Sequence, residues 1–205
     1  MKPNFLNLPR ERRDQILNGA MSVFGKNSYD KASTDEIART AGISKGLLYH
    51  YFDSKKGLYL ALYRHCVGLV LKAVDEGIDP NETDFFRLLE LSLRSKLELL
   101  KRHPPLFAFL MRAYKEPPDD DAPEIQAVNA ELAATGARSI FGNLDERKFR
   151  PGLDLPKVID VMGWISDGFM KAHQDTKRET VDQITEAFNG YMAIFKRAFY
   201  KEEDQ

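Results

Sequence analysis

A glycine and a capping serine two residues apart, Gly42 and Ser44, constrain this chain more than any other feature. They sit within residues 33–57. Ser33 is placed to cap a helix, and Glu36 three residues on would complete a capping box. Ile37, Ala38 and Ala41 give that helix one apolar face, leaving Asp35, Arg39 and Thr40 for solvent. Gly42 then supplies the left-handed backbone that ends a helix without a Cβ penalty. Ser44 opens the next helix so soon that the chain has room only for a sharp turn. Two helices joined in this way at a steep angle form a helix-turn-helix.

The second helix of the pair carries the chemistry. Leu48 and Phe52, four apart, face inward, so Lys45, Leu47, Tyr49 and His50 must point elsewhere. Lys45-Gly46 in its first turn and Tyr49-His50-Tyr51 in its last do not suit a buried helix. They suit a phosphate-binding surface: free N–H groups at a cap, a cation, a glycine that admits close approach, and hydroxyl and imidazole groups. An ordinary two-helix corner with a solvated face is the alternative, and the coincidence of features favours DNA.

Taken together, Ile16, Ala20, Phe24, Ser33-Thr34, Ile37-Ala38, Ala41-Gly42-Ile43-Ser44-Lys45-Gly46, Leu48-Tyr49, Tyr51-Phe52, Ser54-Lys55 and Leu58 resemble the N-terminal domain of the TetR family of bacterial transcriptional regulators. The resemblance covers residues 12–62. It implies an all-helical homodimer whose variable C-terminal domain senses a ligand, with repression the more usual mode. On this reading Ser33, Thr34, Ser44, Tyr49, His50, Tyr51 and Lys55 lie at the DNA, most of them on phosphates, while Lys45, Gly46 and Leu47 face base edges. The family usually has a small or polar residue where Leu47 stands; a leucine there would touch a thymine methyl instead of hydrogen-bonding a base.

A net charge of −1 argues against a nucleic-acid partner only if charge is spread evenly, and it is not. Residues 1–56 hold ten Lys or Arg against six Asp or Glu, and the remainder holds 20 against 25. The basic charge is concentrated where the helix-turn-helix lies. The single cysteine, Cys66, excludes an internal disulfide and a cysteine-based zinc site, and reads as a small core residue. No apolar run is read as reaching the roughly 18 residues of a membrane span, and no signal-peptide core is apparent, so a soluble, cytoplasmic chain is expected.

Residues 1–9, with Pro3 and Pro9, read as a flexible lead-in. A first helix spans about 10–26, with Ile16, Ala20, Val23 and Phe24 on one face. Its opening Arg10, Arg12 and Arg13 oppose the helix dipole, which a phosphate backbone would relieve; solvated charge is the equal alternative. After the motif, a helix from Ser54 to about Gly77 has two apolar sides and reads as the link between domains, ending in the turn 77–83. Further helices are expected at about 84–102, 106–115 (with Tyr114), 124–141 (with Leu132), 156–174 and 177–200. The Asp119-Asp120-Asp121 tip reads as a solvated loop, with no metal site.

The expected architecture is therefore all-α, with about nine helices. A three-helix DNA-binding domain occupies residues 1–56, and a helical effector-binding and dimerisation domain occupies 57–205. The last two helices carry wide apolar surface, with Val161, Gly163, Ile165, Gly168, Phe188, Met192 and Phe195 expected at a four-helix interface with a second copy. A pocket for a small hydrophobic effector is expected near Phe86, His103, Phe107, Met111 and Trp164, with His103 as the polar group that orients it. None of the four histidines adjoins a Ser or Cys in a nucleophile arrangement, and no glycine-rich phosphate loop follows a strand. No catalytic residue and no cofactor is expected. A helical adaptor or enzyme on the same scaffold is the alternative, but it would have no use for the donor-rich face from Lys45 to Lys55.

Overall fold

In the computed structural model, residues 2–115, 122–173 and 179–205 are described; the Asp119–Asp121 tip lies outside them, as do the side chains of Tyr114 and Leu132. Ten α-helices follow in order: α1 (Pro3–Leu6), α2 (Arg10–Lys26), α3 (Thr34–Thr40), α4 (Lys45–Phe52), α5 (Lys55–Gly77), α6 (Phe85–Arg102), α7 (Pro104–Lys115), α8 (Ala122–Phe141), α9 (Leu155–Ala172) and α10 (Val181–Phe199). Among the described residues no strand forms; Phe149 and Tyr200 make one isolated antiparallel bridge. The all-α expectation holds.

The chain packs as two units. One takes in residues 1–70 and 100–133, the other 71–99 and 134–205. In the first, α2 runs against both α3 and α7. Its core gathers Ile16, Ala20, Phe24, Ile37, Leu48, Phe52, Leu58, Leu62 and Phe109, all nearly inaccessible to solvent. The Phe24, Tyr59 and Phe109 rings meet edge-on or tilted at 5.1–6.1 Å. Gly19 lets α2 and α3 touch: a Cβ there would lie 2.8 Å from the backbone of Ala41. That contact sets how closely the helix-turn-helix rides on α2.

The lead-in departs from expectation. Residues 3–6 form α1, with Pro3 in its first turn, where a missing N–H costs nothing. Phe5 is only 1% exposed, and its ring lies 4.9 Å from that of Phe52 and 5.6 Å from that of Tyr51. A single aromatic without a periodic neighbour gives no sequence signal, so the segment reads as loose. Arg13 adds a hydrogen bond to the Leu6 carbonyl at 3.1 Å.

In the second unit α6, α9 and α10 enclose Phe85, Phe86, Leu89, Leu93, Leu97, Met162, Phe169, Ile184, Phe188 and Met192. Tyr200 closes one end. It is fully buried, and its hydroxyl accepts from the Phe85 N–H at 3.0 Å. Thr180 and Gln183 open α10 with a reciprocal capping box. The α9–α10 pair leaves Val161, Trp164, Tyr191 and Ile194 exposed, Trp164 by 71%.

One correction concerns hydropathy. By length and composition, α5 is apolar enough to cross a membrane, so a run of that kind does exist. A third of that stretch is buried within the protein, however. Leu58, Tyr59, Leu62, Tyr63, Cys66 and Val74 are buried, and burial pushes the Cys66 thiol up to about 12. Cys66 accordingly sits as a small core residue against the Met21 sulfur.

Candidate nucleic-acid interface

The turn between α3 and α4 forms as its residues dictate. Gly42 adopts φ +66°, the left-handed conformation its position requires. Ser44 caps α4 by accepting from the Leu47 N–H at 3.1 Å. Ser33 caps α3 through the Glu36 N–H at 3.5 Å, but Glu36 does not return the bond, so only half of the expected capping box forms. Arg12, expected at an external anion or in solvent, instead reaches back from α2. It donates to the Gly42 carbonyl and to the Gln15 side chain, each at 2.6 Å, and ties the turn to the helix beneath it.

On α4, Leu48 and Phe52 are buried as expected, while Ser44, Lys45, Gly46, Tyr49 and His50 are exposed and Leu47 is half-exposed. Most of these polar groups are already held in position. The Lys45 ammonium lies 2.8 Å from Asp35 of α3, whose hydrogen bond and charge raise the lysine pKa and keep it cationic. The Tyr49 hydroxyl donates to Thr34 at 3.3 Å, so Thr34 steadies a group on α4 and is itself half-buried. The Nδ2 amide of Asn4 lies 3.0 Å from His50 Nε2. Lys55 donates to the Asp30 carbonyl at 3.2 Å and stands 4.7 Å over the Tyr29 ring. Gly46 differs from its neighbours, since a Cβ built there meets nothing of the chain within 4 Å.

Tyr51 requires correction. It is 7% exposed, with its ring edge against Phe5, so little of it is left for an external partner. Sequence reasoning also missed the end of this helix. Asp53 takes a positive φ of 63° and pairs with Lys2 from the start of the chain, closing the loop between α4 and α5.

The expected effector residues are divided between the two units. Phe86 belongs to the second unit's core, and Trp164 stands exposed on that unit's surface. His103, Phe107 and Met111 belong to the first unit, with His103 exposed and the other two half-buried. An open cavity of about 470 Å³ lies elsewhere in that unit, lined by Gly57, Leu60, Ala61, Arg64 and His65. Burial holds the His65 imidazole below its ordinary pKa, with Asp14 opposing and Arg13 reinforcing that direction.

The expected interface residues divide. Val161, Gly163 and Gly168 face outward, and a Cβ on either glycine meets nothing. Phe188 and Met192 are buried in their own unit's core, 1% and 3% exposed, and Ile165 and Phe195 pack partly against it. Phe188 and Met192 are thus committed to that core, whereas Ile165 and Phe195 keep part of their surface outside it. Trp164, Tyr191 and Ile194 are the large apolar groups left outside.

Residues 16–62 match the family of bacterial regulatory proteins described as the tetR family. Over 65 residues the chain is 54% identical to the HTH-type transcriptional activator FasR of Mycolicibacterium smegmatis, a match covering 31% of this chain and 30% of that protein. Over 54 residues it is 37% identical to IcaR, an HTH-type negative transcriptional regulator of a biofilm operon in Staphylococcus aureus, covering 26% and 29%. These matches thus span under a third of either relative. Among solved structures, a tetR-family transcriptional regulator from Streptomyces coelicolor superposes with a TM-score of 0.65 at 25% identity, covering 96% of this chain and 86% of that one. The regulator FadR of Bacillus subtilis, solved with stearoyl-CoA, does so at 0.65 and 18%, covering 86% and 93%, a likeness of fold. These relatives are regulators rather than enzymes. By its helix-turn-helix residues this chain carries the DNA-binding domain described for the tetR family of bacterial regulatory proteins, on an all-helical fold that TetR-like regulators share.

Proposed function

We propose that this chain is a cytoplasmic, ligand-responsive repressor that binds a palindromic operator as a homodimer. Residues 1–56 engage DNA, and residues 57–205 dimerise and take a small hydrophobic effector that releases the operator. The observation that carries the DNA reading is the outer face of α4: Ser44, Lys45, Leu47, Tyr49 and His50 surround a glycine whose missing side chain serves no neighbour in the chain. A glycine in a helix costs about 1 kcal/mol relative to alanine. At Gly46 that cost is offset only by what approaches from outside, and a DNA backbone or base edge is such a partner. Repression follows the family's more usual mode; FasR, named an activator, and IcaR, named a negative regulator, show that both signs occur among relatives.

Gly46→Leu tests this directly. The variant should melt no lower than the parent, because open space receives the new side chain and helix propensity improves. Its affinity for sites selected from random DNA should fall at least tenfold. Unchanged DNA affinity would remove α4's outer face from the interface.

Contacts to phosphates and to bases should separate in salt titrations. Lys55→Ala removes one cation per protomer, so the log–log salt slope of a dimer should shallow by about 2. Leu47→Ala should leave the slope alone and relax discrimination at one symmetric pair of base positions by at most about 1–3 kcal/mol per half-site. The opposite pattern would reassign both residues. Effector release is tested by screening apolar compounds for dissociation of the selected operator.

A further inference from the structure

Asp35 stands in the first turn of α3, and Lys45 is the first residue of α4. The tight turn at Gly42 brings them together. The Lys45 Nζ lies 2.8 Å from the Asp35 Oδ2, with the two side chains 48% and 70% exposed. Folding gains little from the contact, since an exposed ion pair contributes little to stability. A cation in the first turn of α4 also opposes that helix's dipole, so α4 has no use of its own for Lys45.

The charge of the pair decides what it can meet. Lys45 and Asp35 together carry no net charge, so a phosphate attracted by the lysine is repelled by the carboxylate beside it. Lys55 differs. Its partners are the Asp30 carbonyl and the Tyr29 ring, and its full charge is left for a phosphate. In a helix-turn-helix the N-terminal residues of the second helix reach base edges, and Lys45 occupies that place. An ammonium has three N–H donors. One is on Asp35, and among the described residues Lys45 makes no second hydrogen bond, so two remain. In the major groove guanine alone presents two acceptors side by side, O6 and N7. Adenine sets an acceptor beside a donor, thymine offers one acceptor beside a methyl, and cytosine offers only a donor. Two free donors on one lysine match guanine.

We propose that Asp35 is a positioning residue for DNA reading: it holds Lys45 away from phosphates and turns its two free donors toward O6 and N7 of one guanine in each half-site. This rests on the reading of α4's outer face as the DNA-contacting surface, and it names a base which that face selects. Sites selected from random DNA by the full chain should carry a guanine at one symmetric pair of positions. Replacing it with 7-deazaguanine, which lacks only the N7 acceptor, should weaken parent binding by about threefold or more. The double variant Asp35→Ala/Lys45→Ala removes no net charge. Its salt slope should match the parent's, while the guanine preference and the sensitivity to 7-deazaguanine both vanish. Asp35→Ala alone frees the lysine. Affinity for random sequence should then rise, the log–log salt slope of a dimer should steepen by about 2, and the guanine preference should fall by about fivefold or more. A gain of affinity for random sequence cannot come from damage to the fold, so it separates positioning from a structural role.

Four results would overturn the assignment: selected sites without a fixed guanine, parent binding indifferent to 7-deazaguanine, a guanine preference that survives Asp35→Ala, or a double variant whose slope shallows by about 2. The last would make Lys45 a phosphate cation like Lys55. The broader reading is judged separately by Gly46→Leu. DNA affinity untouched by that change removes α4's outer face altogether. Affinity lost there, with the guanine preference intact in Asp35→Ala, keeps the face and removes only the role of Asp35.

Discussion

Trp164→Asp and Ile194→Asp are each expected to sediment as monomers at micromolar concentration, and the parent chain as a dimer. Both residues stand outside the second unit, exposed by 71% and 64%, on helices whose other apolar faces are already satisfied. Exposed tryptophan and isoleucine, with Val161 and Tyr191, give these helices apolar surface of the kind that an association between copies would bury. An antiparallel helix pair meeting its own copy as a four-helix bundle covers it symmetrically. A carboxylate placed there would be buried unpaired on association, at a cost exceeding what one apolar contact returns. The consequence for DNA should be large. Specific complexes lie at roughly 10⁻⁸–10⁻¹¹ M, and a two-fold dimer draws that free energy equally from two half-sites. A monomer keeping one half-site would fall to roughly 10⁻⁴–10⁻⁶ M, a loss of about 10⁴-fold or more. Gly163→Arg, on the same exposed side of α9, should act likewise. Dimers persisting in all three variants would move the interface to another face. Phe195→Asp is the wrong probe, since it damages the unit's own core before it reaches any partner.

The second large effect is expected from Phe5→Ala, at about 3–5 kcal/mol of stability for the unit that holds the helix-turn-helix. The ring is enclosed by Tyr51 and Phe52 at the C-terminal end of α4. Beyond it, α1 is held by the Lys2–Asp53 ion pair, the Asn4–His50 contact and the Arg13 bond to the Leu6 carbonyl. Each of these is exposed, and exposed ion pairs contribute little, roughly 0–1 kcal/mol. Without the ring, the segment should detach and leave Phe52 open to water. Denaturant melts and hydrogen exchange on α4 amides would report both. A loss under 1 kcal/mol, with α4 protection unchanged, would mean that α1 is a bystander.

Local patterns carried much of this structure, and the reasons are specific. The α3–turn–α4 corner was legible because its determinants are short-range: Gly42 for a left-handed φ, Ser44 for a cap, Leu48 and Phe52 four apart for an inward face. No distant residue has to be known for any of these. The donors facing out from α4 follow from the same 3.6-residue repeat. Where several local signals agree, tertiary packing has little left to decide.

Elsewhere the periodicity identified helices but not what each face meets. α9 and α10 are apolar around much of their circumference, so Phe188 and Trp164 look alike in sequence. Only packing against α6 assigns Phe188 to the core and leaves Trp164 in solvent. Phe5 and Tyr51 were misread because their burial depends on each other across 46 residues, a pairing that no local pattern encodes. Arg12 was divided between solvent and an anion, until the fold brought the Gly42 carbonyl to it. Sequence thus determined which segments are helical and how the DNA-reading corner is built. Tertiary structure decided which apolar and polar groups face protein and which face open space, because burial is settled by whichever neighbour arrives from far along the chain.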